Sequence, residues 1–231
     1  MKSIAIITAR GGSKRIPRKN IKDFMGKPII AYSIEAAIEC GCFDEVMVST
    51  DDEEIAAIAK KYGAEVPFFR SASTSDDFST TADVLKEVIQ KYSEMGEQYD
   101  VLCCIYPTAP FVTADKLKLA VETMKREKTD SLIPIVQYSF PPQRAVVLRE
   151  GKVCYQYPEF EKSRSQDLEP IYHDCGQFYL CKTDVLIKQN SVISKNASGL
   201  VVSEEEVQDI DNMSDWKLAE LKYSRFMKER S

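Results

Sequence analysis

The sequence predicts an α/β fold in which a mostly parallel sheet is flanked by helices. Two observations carry this. Short β-branched runs alternate with helical patterns along most of the 231 residues. One of those runs, residues 101–106, is too uniformly apolar for a sheet with one wet face, and it reads as a central strand. The length suits one large domain with an ample core, so residues 1–231 are read as a single domain carrying an excursion over 138–170.

The first strand, 4–8, leads through a basic loop to a helix over 28–40, with Pro28 suited to its first turn and Gly41 to its end. Strand 45–49 ends in Thr50-Asp51-Asp52, where Thr50 or Asp51 is expected to cap helix 53–62. Ile55, Ile58 and Ala59 share one face of that helix, its acidic first turn suits the dipole, and Gly63 stops it. A short extended piece, 65–69, precedes a Ser/Thr/Asp-rich loop over 70–81, and the amphipathic helix 83–95 presents Val84, Leu85, Val88 and Ile89 on one side. Pro107 and Pro110 break the central strand, Thr113 caps helix 114–126, and 131–136 reads as another buried strand.

Residues 138–170 are too long for an ordinary connection and lack helical periodicity, which suggests a lid or a dimerisation arm. Strand 177–180 returns to the sheet, 203–211 carries acids on a short extended run, and Ser214 is expected to cap a last amphipathic helix through Trp216, Leu218, Leu221 and Phe226.

Composition narrows the function. A net charge of -5 and a pI near 5.2 argue against a nucleic-acid footprint and favour a small anionic ligand held by a local field. No apolar run is long enough to span a bilayer and the N-terminus lacks a secretory pattern, so no membrane partner and a cytoplasmic location are expected. Seven cysteines without framework spacing fit reduced thiols, and one histidine in the chain weakens any reading of Cys40, Cys42, Cys103 and Cys104 as metal ligands.

The local field lies at Arg10, Lys14, Arg15, Arg18, Lys19, Lys22 and Lys27, seven cations against the single acid Asp23. In a parallel sheet ligands sit outside the carboxyl ends of the strands, and this loop leaves the end of the first. Gly11 and Gly12 allow backbone N–H groups to approach phosphate oxygens, while Arg10, Lys14 and Lys19 neutralise charge that develops during phosphoryl or nucleotidyl transfer. A Walker loop fails because Gly26-Lys27 is followed by Pro28, and GxGxxG is absent.

Three further constellations accompany the loop. Asp209 and Asp211, two apart on an extended run, can point two carboxylates at one hard cation. The hydroxyl-rich stretch from Arg70 to Asp83 can read a base and a ribose, although such loops are also ordinary solvated turns. Arg164, Gln166, His173 and Gln177 with nearby aromatics suit a carboxylated, hydroxyl-rich sugar, while a lone histidine serves as a structural hydrogen-bonding residue more often than as a catalyst.

Taken together and in order, ARGGSKRIPRKN at 9–20, Arg70 with Thr81 and Asp83, Tyr106-Pro107-Thr108-Ala109-Pro110, Arg164-Ser165-Gln166-Asp167 and Gln208-Asp209-Ile210-Asp211 resemble the CMP-sialate synthetase family, cytidylyltransferases that activate nine-carbon acidic sugars. The resemblance covers nearly the whole chain. It implies a Rossmann-like nucleotidyltransferase fold, CTP as substrate, magnesium as cofactor, and a homodimer whose excursion reaches the partner subunit. By motif matching it implies that Arg10, Lys19 and Asn20 contact the triphosphate and nucleotide. Gly11, Gly12 and Lys14 belong to the same loop, Arg70 and Thr81 seat cytidine, and Asp209 and Asp211 hold metal. Lys19, Arg10 and Asp211 are the residues expected to carry catalysis.

Tyr106 stands where sialate synthetases carry glutamine, and Ala109 replaces a serine; with residues 172–179 these departures look like the pseudaminate branch. Tyr106 and Thr108 join Arg164, Gln166, His173 and Gln177 as expected sugar contacts. The implied reaction joins CMP to the anomeric hydroxyl of the sugar and releases pyrophosphate. Alternatives are activation of sialate or another sugar acid, a glycosyltransferase using a finished nucleotide sugar, and a non-enzymatic nucleotide sensor.

Overall fold

In the computed structural model, which describes residues 1–75 and 79–230, the first apolar run becomes strand β1 (Ser3–Thr8). A two-strand ribbon, β2 (Asp23–Phe24) and β3 (Lys27–Pro28), leads into α1 (Ile29–Glu39), β4 (Glu45–Ser49), α2 (Glu53–Lys61), α3 (Thr81–Glu94), β5 (Val101–Ile105), α4 (Ala114–Glu127) and β6 (Ser131–Gln137). A separate hairpin, β7 (Val146–Arg149) and β8 (Lys152–Tyr155), occupies the expected excursion. The chain then adds β9 (Tyr172–Asp174), β10 (Phe178–Lys182), α5 (Thr183–Gln189), β11 (Ala197–Val201) and α6 (Met213–Arg230).

The seven-stranded sheet has the order β11-β6-β10-β5-β1-β4, with β9 paired to β6. Five strands run one way and β10 and β9 oppose them, so the sheet is mixed but mostly parallel. β5 is central as expected, paired on both sides. The sheet is covered on both faces. Ala5, Ile7, Cys103 and Ile105 pack against Ile30, Ile34, Ile55 and Leu117 on one side; Ile4, Ile6, Leu102 and Cys104 pack against Leu85, Val88 and Leu186 on the other. Burying each large aliphatic chain stabilises the fold by about 1.5–3 kcal/mol, which is why β1 reads as a continuous apolar run.

A third cluster decides the site. Ile16 of the basic loop, Phe24, Ile29, Tyr32, Ile210, Trp216 and Ala219 close around one another, with Phe24 edge-on to both Trp216 and Tyr32. This knot holds the basic loop, the acidic segment and α6 in one place.

Several local expectations are corrected. Asp52, rather than Thr50 or Asp51, caps α2: its carboxylate accepts from the N–H groups of Glu54 and Ile55. Thr80 caps α3 in a reciprocal box with Asp83, which starts the helix two residues before the expected 83. Asn212 rather than Ser214 caps α6, its side-chain oxygen accepting from Ser214 and Asp215 N–H. Leu218 and Leu221 are exposed, so the apolar face of α6 is carried by Trp216, Ala219 and Phe226 instead. Only Glu65 of the extended piece 65–69 joins the sheet, by one bridge to Met47. β11 and α5 had no clear signal, because Ala197-Ser198-Gly199 is a weak strand former and the helix is short. Among the described residues no helix is long and apolar enough to cross a membrane.

Candidate active site

β1 lies between β4 and β5, so the chain departs from β1 in opposite directions and leaves a crevice at the carboxyl ends, the place where open α/β sheets bind ligands. The basic loop fills it. Ala9 N–H donates to the Ser49 carbonyl at 3.0 Å and Gly11 N–H to Asp51 Oδ1 at 2.9 Å, pinning the loop to the end of β4. A Cβ on Gly11 would stand 2.7 Å from Asp52 Oδ2, so any larger residue would have to displace the Asp52 side chain.

Arg18 adopts a left-handed φ of 57° and directs its guanidinium to Asp52 and Glu54. That partner holds the Asp52 carboxyl down at about 2. Arg18 is thus a strut for the loop. Asn20 is buried, and its Nδ2 donates to the Arg10 carbonyl at 2.9 Å.

The acidic segment arrives from the other side. It has no strand partner; side chains suspend it. Lys19 Nζ donates to the Ile210 carbonyl at 2.7 Å, Lys222 Nζ to the Val207 carbonyl at 2.7 Å, and Gln177 Nε2 to the Glu206 carbonyl at 2.6 Å. Lys116 adds an ion pair to Glu206. Ile210 is buried in the third cluster, so the flanking Asp209 and Asp211 are turned outward, as the period of an extended chain requires. Asp211 Oδ1 receives Arg15 at 2.6 Å. Burial pulls the Lys19 pKa below its usual range, while the Asp211 and Asp209 carboxylates oppose that fall.

Arg10, Lys14, Lys19, Asn20, Tyr106, Thr108 and Asp211 therefore line one cavity of about 700 Å³. Asp209 and His173 line a neighbouring cavity of about 540 Å³ with Asp174, Gly176 and Lys222. Arg70 lies beneath the crevice: Nε donates to Ser49 Oγ at 3.1 Å and a terminal nitrogen to the Ser49 carbonyl at 2.6 Å, and its burial lowers its pKa. The hydroxyl-rich loop that it begins includes residues 76–78, which lie outside the described residues. Thr81 Oγ1 lies 3.2 Å from the Tyr106 hydroxyl.

Other expected contacts sit apart. Arg164 and Gln166 are exposed on the excursion, Arg164 pairs with Asp167 at 2.7 Å, and neither lines these two cavities. Gln177 is buried and turned toward the acidic segment, leaving Oε1 without a partner. His173 is exposed against Tyr138, ring centroids 4.7 Å apart. Sequence reasoning missed Arg15 as a partner of Asp211, and it missed Lys222, whose only sequence signal is a lysine one helical turn before Phe226. It also missed Tyr179, whose hydroxyl donates to Asp174 Oδ2 at 2.6 Å.

Residues 4–208 match the family described as Cytidylyltransferase. The chain belongs to the cytidylyltransferase family. It is a nucleotidyltransferase that uses CTP, which sets aside the glycosyltransferase and sensor readings. This cytidylyltransferase is 43% identical over 224 residues to a pseudaminic acid cytidylyltransferase of Campylobacter jejuni, covering 96% of this chain and 97% of the relative. It is 34% identical to a CMP-N,N'-diacetyllegionaminic acid synthase of Legionella pneumophila, covering 95% of each. Its fold is similar to that of a CMP:2-keto-3-deoxy-manno-octonic acid synthetase solved with CTP, with a TM-score of 0.70 at 18% identity over 97% of this chain and 99% of that one.

Proposed function

We propose that this cytidylyltransferase joins CMP from CTP to the anomeric hydroxyl of pseudaminic acid, a nine-carbon acidic sugar, and releases pyrophosphate. The observation that carries the transfer is the single cavity in which Arg10, Lys14 and Lys19 meet Asp211. The sugar follows from 43% identity across nearly the full length of a pseudaminic acid cytidylyltransferase. Tyr106 supports the same choice, standing at the cleft wall in place of the glutamine of the sialate pattern.

The sugar oxygen attacks the α-phosphorus of CTP in line, the bond to the bridging oxygen of the β-phosphate breaks, and the hydroxyl proton passes to solvent or an adjacent base. Arg10 and Lys19 stand where negative charge grows on the phosphates, with Lys14 beside them. Lys19 donates to the Ile210 carbonyl, and in the proposed complex its ammonium also serves the phosphate oxygens. Arg70 braces the end of β4 below the nucleotide, and Gly11 and Gly12 allow the loop to approach it.

Asp211 in the first cavity and Asp209 in the neighbouring one are hard oxygen donors of the kind magnesium takes, and both act on the charge of Lys19, so they are the residues that would hold a nucleotide-bound magnesium. Bound there, magnesium would neutralise phosphate charge and act as a Lewis acid. A homodimer is part of the proposal, since Phe140, Leu148 and Val153 of the excursion and Leu221 of α6 are large exposed apolar groups. Arg164 and Gln166, which line neither of the two cavities, would then serve a site completed by the partner subunit.

The test is incubation with magnesium, CTP and a panel of acidic sugars, with pyrophosphate release followed and products identified by mass. CMP-pseudaminate as the preferred product is expected. A preference for sialate or legionaminate would transfer the assignment to those sugars, and no pyrophosphate with any acid would overturn it.

A further inference from the structure

The peptide bond between Ile210 and Asp211 is held at both of its polar atoms by side chains from outside the acidic run. Lys19 Nζ donates to the carbonyl at 2.7 Å, and the N–H donates to Asp215 Oδ2 at 2.9 Å. The same oxygen of Asp215 accepts from Asn212 N–H at 3.0 Å. The two peptide planes that flank the Asp211 Cα therefore share one acceptor. Each plane is rigid, so that acceptor restrains φ and ψ of Asp211 and with them the direction in which its side chain leaves the backbone. Asp215 is itself tied down. Its N–H donates to Asn212 Oδ1 at 3.2 Å, and the next residue, Trp216, is buried in the cluster of Ile16 and Phe24, with its N–H on the Asn212 carbonyl at 3.0 Å.

Helix capping does not account for both bonds. A carboxylate in the first turn satisfies the N–H of the capping residue, here Asn212, and with the Asn212 side chain that completes a reciprocal box. The bond to Asp211 N–H lies one residue outside the box, at the group proposed to hold magnesium. Asp211 and its partner Arg15 line the cavity of Arg10, Lys14 and Lys19, whereas Asp215 lines neither cavity. We infer that Asp215 is a positioning residue for the proposed magnesium site: by bridging the N–H groups on either side of the Asp211 Cα, it aims the Asp211 carboxylate before the metal arrives. The inference rests on the reading of Asp209 and Asp211 as metal ligands and adds the residue that orders one of them. A carboxylate aimed in advance gives up little further backbone freedom on binding, which is how a group behind a ligand contributes to metal affinity without touching the metal.

The experiment measures CTP binding by calorimetry with no sugar present, once in a chelator and once in saturating magnesium. Asp215→Ala is expected to lower the affinity in magnesium about tenfold or more and to leave the affinity in chelator unchanged. Asp215→Asn keeps an oxygen that accepts from both N–H groups, so it should retain most of the gain that magnesium gives. Asp215→Glu still caps Asn212 but carries its carboxylate one methylene further out; it is the second variant if Asp215→Ala does not fold, and the gain should fall there too. An undiminished gain in the folded variant, or an equal loss of affinity in chelator, overturns the inference. So does an Asp215→Asn protein as weak as Asp215→Ala, which would make the charge of Asp215 the active property in place of its hydrogen bonds. If the unsubstituted protein shows no gain from magnesium, or Asp211→Ala leaves the gain intact, the metal reading beneath the inference fails instead.

Discussion

The basic loop after β1 and the hairpin of β7 and β8 are both excursions from a strand, yet they are held in opposite ways. The loop is tied down at many points: Ile16 and Asn20 are buried, Gly11 is bonded to Asp51, and Arg18 is braced by Asp52 and Glu54. The hairpin pairs only with itself and leaves Leu148 and Val153 in solvent. A phosphate cradle needs cations preorganised before the ligand arrives, so its chain is immobilised by the same core that supports the sheet. An arm that a partner subunit completes, as proposed above, has no such need. The difference shows why residues from the loop converge on one cavity whereas Arg164 and Gln166 of the excursion do not.

The largest effect expected is on the knot that anchors the loop. Phe24→Ala should cost about 3–5 kcal/mol of stability, seen as a lower denaturant midpoint, because Phe24 is fully buried among Tyr32, Trp216 and Tyr223. A loss below about 1 kcal/mol would show the loop to be anchored elsewhere.

Next, Lys19→Ala and Asp211→Ala should each reduce turnover about a hundredfold or more, roughly 3 kcal/mol, with little change in melting temperature. Pyrophosphate release reads this, and near-normal turnover in either variant would remove that residue from the chemistry. Because burial depresses the Lys19 pKa below the usual 10.5, the alkaline fall in kcat/KM for CTP should begin at lower pH than a solvated lysine would give, and should vanish in Lys19→Arg.

A smaller effect concerns the strut. The Asp52 carboxyl is depressed to about 2 by Arg18, so its contribution is present above the unfolded value near 3.9 and is lost as pH falls through about 2. After allowance for solvent screening of a pair that is partly exposed, Arg18→Met should lose about 1 kcal/mol near neutral pH and progressively less under acid. A pH-independent difference would mean that packing, not charge, makes the strut. The smallest effect on stability belongs to the hairpin: Leu148→Lys should alter it by less than about 0.5 kcal/mol while shifting the sedimenting species from the proposed dimer towards monomer. A large loss of stability in the isolated protomer would show that the arm is held by this chain after all.

Features that depend on neighbours in the chain were legible in the sequence. β1, β4, β5 and β6, the helices between them and the phosphate loop follow from apolar period, turn residues and clustered charge, all of which act within a few residues. The capping residues lay at the limit of that reach, where Asp51 and Asp52 are equally suited by type and only the direction of entry into α2 chooses Asp52. β11 and β9 were hidden because an edge strand is defined by the strand that it joins, as Ala197–Val201 joins β6.

Within the proposed site, sequence by itself supplied the candidate side chains: the cations of the loop, the pair Asp209 and Asp211, and Tyr106. Only the tertiary structure decided which of them meet. It brought Asp211 to Arg15 across 196 positions of chain, turned Gln177 inward to the Glu206 carbonyl, and set the Tyr106 hydroxyl against Thr81. Local patterning specifies the kind of group a residue offers; long-range packing, here the burial of Ile210 and Trp216 beside Ile16, specifies the partner, because no residue's own neighbours carry the distance to a segment that folds against it later.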